Sequence, residues 1–357
     1  MIRLFWLCSL LLLPARWAQA QTPEAAEHYR AGYQLLQAQN FRNAALEFER
    51  AVAADSTYGD AFYALGKAYK ALGDYDKAIR ALEAAGRRAL SQPSAKDRLP
   101  AELSEAYQKS AAKLFEQRNY QEAIAGFEKS LAINPKNAKA HYALGVCYSR
   151  MRNTEAARQA YLKAIEVDPS YAKAYKALGD LQRQNRDYGP AAEAYQKAIA
   201  IDSTLSEAWG GWARSQIDNQ DLEGALKTLE KAVAVDPKYE EGYLLMGATL
   251  NQLGRQQDAI EPLRRAVDLE GKDPEAHFRL AEAYYALGDY RNTLDAAQGA
   301  LQHQQDYHPA EVVLADAYLK LGQKDQARAW YQRALVDSRF KDYCAHQLEE
   351  IAKPPPP

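Results

Sequence analysis

Small and large apolar residues alternate along this chain with a period of 34 residues. HYALGVCYSRMRNTEAARQAYLKAIEVDP, starting at His141, aligns with YKALGDLQRQNRDYGPAAEAYQKAIAID, starting at Tyr175. A period in that range marks a repeat array. Seven units follow one another without a gap over 104–341, starting at Ser104, Ala138, Ala172, Ser206, Glu240, Pro274 and His308. Two more, starting at Ala25 and Gly59, occupy 25–92, and an insertion at 93–103 separates the groups.

Each column of the repeat has a physical meaning. Position 8 is always small: Gly32, Gly66, Ala111, Gly145, Gly179, Ala213, Gly247, Ala281 and Ala315. Position 20 is Ala except at Thr293, and position 27 is Ala except at Ser130. Large residues stand beside them, such as Leu144, Leu178 and Trp212 at position 7, and Phe48, Phe127, Tyr161, Tyr195 and Tyr331 at position 24. Small against large lets two helix backbones approach and interdigitate. Position 16 is Asn or Asp in seven units, the residue types that satisfy free N–H groups at a helix start. Breaks such as Asn134-Pro135, Asp168-Pro169 and Asp236-Pro237 close the unit, because proline stops one helix and suits the start of the next. The unit predicted is helix A, tight turn, helix B.

These residues resemble the tetratricopeptide repeat (TPR) family through Trp209, Leu144-Gly145, Tyr148, Ala157, Tyr161 and Pro169, in a register that covers nearly all of 25–341. Ala297 in place of a large residue at position 24, and units without the final Pro, are local departures. The resemblance implies an all-α, right-handed superhelical solenoid of helix-turn-helix repeats, with helix A lining a concave groove. Composition agrees: there are 67 Ala but only 9 Val, 10 Ile and 7 Thr, too few β-branched residues for a sheet protein.

The two ends differ from the array. Residues 1–20, MIRLFWLCSLLLLPARWAQA, carry Arg3, an apolar stretch from Leu4 to Leu13, and Ala18-Gln19-Ala20. That order predicts a cleaved signal peptide, a chain beginning at Gln21 and a periplasmic or secreted location. No later apolar run approaches membrane-spanning length. Residues 342–353 continue the register as one capping helix, and the tail 354–357 is all proline. The insertion SQPSAKDRLPA region, with Pro93 and Pro100, reads as a longer loop.

The net charge of -2 gives no broad drive toward nucleic acid. No P-loop, GxGxxG, HExxH, CxxC or GxSxG is present. His303, Asp306 and His308 are the one cluster with ligand chemistry, and they fall in a turn that the repeat already requires to be polar. The expectation is therefore a non-enzyme with no cofactor and no metal.

Candidate function lies on the stripe of helix A next to its packed face, at positions 2, 5, 9 and 12. Under the resemblance this stripe faces the groove. It reads Tyr29, Tyr33 and Leu36, then Asp60, Tyr63, Lys67 and Lys70 in the first units, and turns basic in the middle. There Lys139, Tyr142, Lys173, Lys176, Arg183 and Arg214, with Arg150 beside them in the neighbouring column, are the expected peptide-binding residues, with Asp180 and Glu207 as partial counter-charges. The expected role is a scaffold for protein or peptide partners, with an acidic segment favoured, in envelope assembly or export. The alternative is a glycan-handling or exopolysaccharide-export scaffold in which the aromatic rings stack on sugars.

Overall fold

The computed structural model of the chain describes residues 22–270 and 272–353. The signal expected at 1–20 and the proline tail at 354–357 lie outside the described residues. Among the described residues there are nineteen helices and no strand. The described residues divide into two compact units, one ending at Pro169 and the other beginning at Ser170.

The first unit holds α1 (Pro23–Gln37), α2 (Phe41–Ala54), α3 (Gly59–Ala71), α4 (Tyr75–Gly86), α5 (Pro93–Glu116), α6 (Tyr120–Ile133), α7 (Ala138–Arg150) and α8 (Thr154–Val167). The second holds α9 (Ala172–Gln184), α10 (Tyr188–Ile201), α11 (Ser206–Asp218), α12 (Leu222–Val235), α13 (Glu240–Gln252), α14 (Gln256–Glu270), α15 (Pro274–Ala286), α16 (Tyr290–His303), α17 (His308–Lys320), α18 (Lys324–Ala334) and α19 (Lys341–Ala352). Odd-numbered helices up to α17 are the A helices, and even-numbered ones the B helices.

Every A helix ends in the same backbone device. Repeat position 15 is left-handed in all nine repeats, at Gly73, Gly254, Gly288 and Gly322 but also at Gln39, Arg118, Arg152, Arg186 and Gln220. In the first repeat Gln39 N–H donates to Leu36 O at 3.1 Å and Asn40 N–H to Leu35 O at 2.9 Å. Such bonds satisfy carbonyls that the helix end leaves open. The next residue then starts helix B. Asn40, Asp74, Asn153, Asp221 and Asp289 each accept a backbone N–H three residues on, whereas Asn119 and Asp187 make no such side-chain bond.

The small columns are where the helices close on one another. All nine residues at position 20 and all nine at position 27 are fully buried. A methyl group placed on Gly145 would lie 2.5 Å from the Tyr161 ring, and one on Gly32 would lie 2.8 Å from Phe48. The large residue at position 24 thus fills the space that position 8 leaves. The two polar exceptions are satisfied: Thr293 Oγ1 donates to Asp289 O at 2.8 Å, and Ser130 Oγ donates to Ser104 O at 2.8 Å while Ser104 Oγ reaches Ser130 O at 3.0 Å. Buried hydroxyls with partners avoid the desolvation cost of unpaired ones.

Successive repeats are also joined by tyrosines at position 11. Tyr69 donates to Glu49, and Tyr148 to Glu128 at 3.2 Å. In the second unit Arg264 donates to the Tyr284 hydroxyl at 2.9 Å, and Gln298 to that of Tyr318 at 3.4 Å. In each case the partner sits on the B helix of the repeat before.

One expectation is corrected. Residues 93–103 form no loop; they extend helix A of the third repeat, so that α5 runs for 24 residues. Pro93 occupies the first turn, where its missing N–H and fixed φ suit a helix start. Pro100 sits inside the helix on its exposed side, and the packing of Ala95, Ser104 and Ala106 holds the extension in place.

Within each unit, A helices pack on A helices. α1 meets α3, α3 meets α5 and α5 meets α7; α9 meets α11, α11 meets α13, α13 meets α15 and α15 meets α17. No B helix packs to that extent on the next B helix among the described residues. The inner stripes of neighbouring A helices are therefore brought side by side.

Candidate functional site

The inner stripe of the first unit ends on α7. Lys139 and Arg150 are exposed there and make no ion pair among the described residues. Tyr142 is half-buried, with its ring 5.9 Å from that of Tyr161 and tilted 39° to it. Asn137, which caps α7, also donates through Nδ2 to Gln108 on α5 at 3.1 Å, fixing the start of the helix against its neighbour.

In the second unit three of the four basic residues carry their own counter-ions. Lys173 is exposed and unpaired among the described residues. Lys176 Nζ lies 2.8 Å from Asp180, which also accepts the Tyr195 hydroxyl at 2.7 Å. Arg183 on α9 reaches Asp218 on α11 at 2.7 Å, and Arg214 on α11 pairs with Glu241 on α13. Two pairs thus bridge consecutive A helices, and the carboxylates come from Asp218 and Glu241 rather than from Glu207. Such half-exposed pairs contribute about 0–1 kcal/mol each, but they cancel charge locally. Lys173 is left as the exposed cation of this set.

Further along the second unit the stripe becomes acidic and aromatic. Arg279 holds Glu275 at 2.7 Å and Glu282 at 2.8 Å. Burial raises the Glu282 carboxyl above its usual range, with Arg279 pulling the other way. Asp316 on α17 accepts the Tyr331 hydroxyl at 2.5 Å and that of Tyr343 at 2.8 Å. Burial raises this carboxyl too, against the lowering effect of both hydroxyls.

The histidines go to separate partners: the His303 ring stacks on His277 at 5.5 Å, and His308 bonds the buried Glu311 at 2.9 Å. Cys147 and Cys344 are both buried and unlinked, and burial pushes each thiol up to about 11, which suppresses the thiolate needed for nucleophilic chemistry. Among the described residues no helix is long and apolar enough to cross a membrane.

Sequence reasoning passed over a cleft in the first unit. Tyr29, Tyr33, Tyr63 and Lys67 line a cavity of about 150 Å³ together with Gln92 and Arg98. The four inner-stripe residues were readable in the sequence. Their convergence was not, because it depends on the helical form of 93–103.

A family description given as the Cilia and flagella-associated protein 70 C-terminal domain, a TPR array, matches residues 95–351, well over half of the chain. A second, described as Tetratricopeptide repeat, matches 35–97. The chain belongs to the tetratricopeptide-repeat family. Solved structures carry the same fold. The C-terminal part of a TPR repeat-containing protein from Cytophaga hutchinsonii matches this TPR chain with a TM-score of 0.54 and 17% identity, over 71% of this chain and 99% of that one. The Pseudomonas aeruginosa pilF protein matches at 0.52 and 20%, over 58% and 97%. The APC/C hetero-tetramer Cut9-Hcn1 matches at 0.51 and 15%, over 92% and 84%. No curated protein matches the TPR chain.

Proposed function

We propose that this TPR chain is a non-enzymatic scaffold that binds protein or peptide partners on the inner faces of its A helices, and that it acts in envelope assembly or export after signal cleavage. The observation that carries the reading is the stacking of A helix on A helix within each unit. It aligns inner side chains into continuous strips, and the strips present exposed, unpaired Lys139, Arg150 and Lys173. Unpaired cations on a rigid support attract acidic partner segments and steer their approach. Lys176, Arg183 and Arg214 contribute less, because carboxylates already neutralise them.

The test is a pull-down from an envelope extract with the parent protein, Lys139→Glu/Lys173→Glu and Lys176→Glu. The double variant is expected to lose partners in a salt-sensitive way, and Lys176→Glu to lose fewer. Equal, salt-insensitive capture by all three refutes the reading. The location is checked separately by sequencing the N-terminus of the exported product, which should begin at Gln21.

A further inference from the structure

We propose that the extension of α5 creates a separate recognition cleft at the start of the first unit, and that this cleft takes an extended peptide segment in which proline is flanked by acidic residues. The inference rests on the scaffold reading and names the ligand chemistry at one place.

The walls come first. Tyr29 is held from behind, with its ring 5.8 Å from Phe48 and 5.0 Å from Tyr58. Tyr33, 6.3 Å from Tyr29, is 46% exposed and stands at the cavity edge. Tyr63, on α3, lines the same cavity. The support is stiff, since Gly32 lets α1 close directly on Phe48. An exposed ring on a fixed backbone is a stacking surface that loses little entropy when covered.

Charge comes second. Lys67 and Arg98 border this cavity, and Lys67 continues with Lys109 into an adjoining one of about 400 Å³. None of the three makes an ion pair among the described residues, although Lys67 lies 5.8 Å above the Tyr63 ring. Lys70 in the same place is already held by Glu102 and Glu105. Glu102 and Glu105 outnumber Lys70 by one, so the four cations of the two cavities exceed the carboxylates by two charges, and that excess draws an acidic ligand.

A cavity of about 150 Å³ receives single side chains, and the proposed occupant presents them from an extended segment. Proline-rich segments are already extended and dock on aromatic walls. At about 3.1 Å per residue, an acidic residue a few places along lies over Lys67 or Lys109. No other repeat has an insertion, so no other A helix supplies such a wall.

The experiment uses fluorescence anisotropy with labelled EPPPPE, KPPPPK and EGGGGE peptides. The proteins are the signal-free chain and its Tyr33→Ala, Arg98→Glu and Lys231→Glu variants, the last on the exposed side of the B helix α12. Tyr33 and Arg98 are both exposed, and circular dichroism confirms folding. EPPPPE should bind the parent, weaken about 10-fold or more in Tyr33→Ala and in Arg98→Glu, and keep its affinity in Lys231→Glu. Equal binding of KPPPPK or EGGGGE, or an unchanged Tyr33→Ala, overturns the proposal. If EPPPPE fails but a random peptide library yields binders, this inference falls and the scaffold reading stands. If all peptides fail and a glycan array binds through Tyr33, both fall. Self-association that disappears on trimming 354–357 assigns the cleft to a second copy and also overturns the proposal.

Discussion

The left-handed residue at repeat position 15 offers a clean test, because nature has placed both glycine and bulky residues there. At Gly254 the backbone is left-handed with φ +74°, and an added methyl group would meet nothing within 4 Å. Gly254→Ala therefore isolates backbone strain from any clash. An L-residue in this region costs about 1–2 kcal/mol, and the stiffer unfolded chain of the Ala variant returns about 0.4–1 kcal/mol, so the net loss should be about 1 kcal/mol. Arg152→Gly runs the argument backwards. Arg152 is exposed at φ 59° and makes no ion pair among the described residues, so only its strain is removed. The relief of about 1–2 kcal/mol, less the about 0.5–1 kcal/mol that glycine's freedom costs, leaves a gain of about 0.5–1 kcal/mol. Repeat arrays need not unfold in one step, so the assay is amide hydrogen exchange at the turn itself. The Arg255 amide, bonded to Leu250 O at 2.9 Å, should exchange about 5-fold faster in Gly254→Ala. The Asn153 amide, bonded to Tyr148 O at 2.9 Å, should slow by a smaller factor in Arg152→Gly. Unchanged exchange in Gly254→Ala, or faster exchange in Arg152→Gly, refutes the strain argument.

Three further outcomes follow from the packing. Ala164→Leu and Ala232→Leu should each lose about 1–3 kcal/mol by overpacking a fully buried column; an unchanged urea midpoint in both contradicts the column. Ser130→Ala should lose about 0.5–1.5 kcal/mol with its hydroxyl's bond to the Ser104 carbonyl, because the Ser104 hydroxyl keeps the Ser130 backbone carbonyl as its acceptor, and Ser104→Ala/Ser130→Ala should lose about twice as much; an unchanged urea midpoint in Ser130→Ala denies the bond. Asp316, raised by burial and lowered in part by Tyr331 and Tyr343, holds its proton more tightly folded than unfolded. Its contribution is therefore fully present below about pH 4 and is lost as pH rises through the raised value. Relative to Asp316→Asn, the parent should weaken between denaturation curves at pH 4 and pH 7; a relative gain reverses the sign and rejects the buried-carboxyl account.

Much of the fold could be read directly from the repeat columns. Gly145 opposite Tyr161, and the alanines at positions 20 and 27, need only spacing and volume to be understood. The left-handed turns were hidden, because Gln39, Arg118 and Arg152 do not advertise a positive φ as glycine does. The stretch 93–103 was misread because two prolines signal a break in isolation, whereas at the first turn Pro93 is a helix starter and packing carries the helix past Pro100. The basic stripe was legible as charge but not as net charge. The carboxylates that neutralise Arg183 and Arg214 lie one repeat further on, and only the stacking of A helices brings them into reach.

The tyrosine hydroxyls that join four of the repeats to the B helix before them have a mechanical consequence. Tyr69 with Glu49, and Tyr148 with Glu128, are latches whose partners lie on neighbouring repeats rather than across a common core. An array of such latches pulled along its length puts the same load on every joint in series. It lengthens first by opening the weakest one and stays engaged everywhere else, so each unit behaves as a spring with memory of its rest length rather than as a block that shatters at a single threshold.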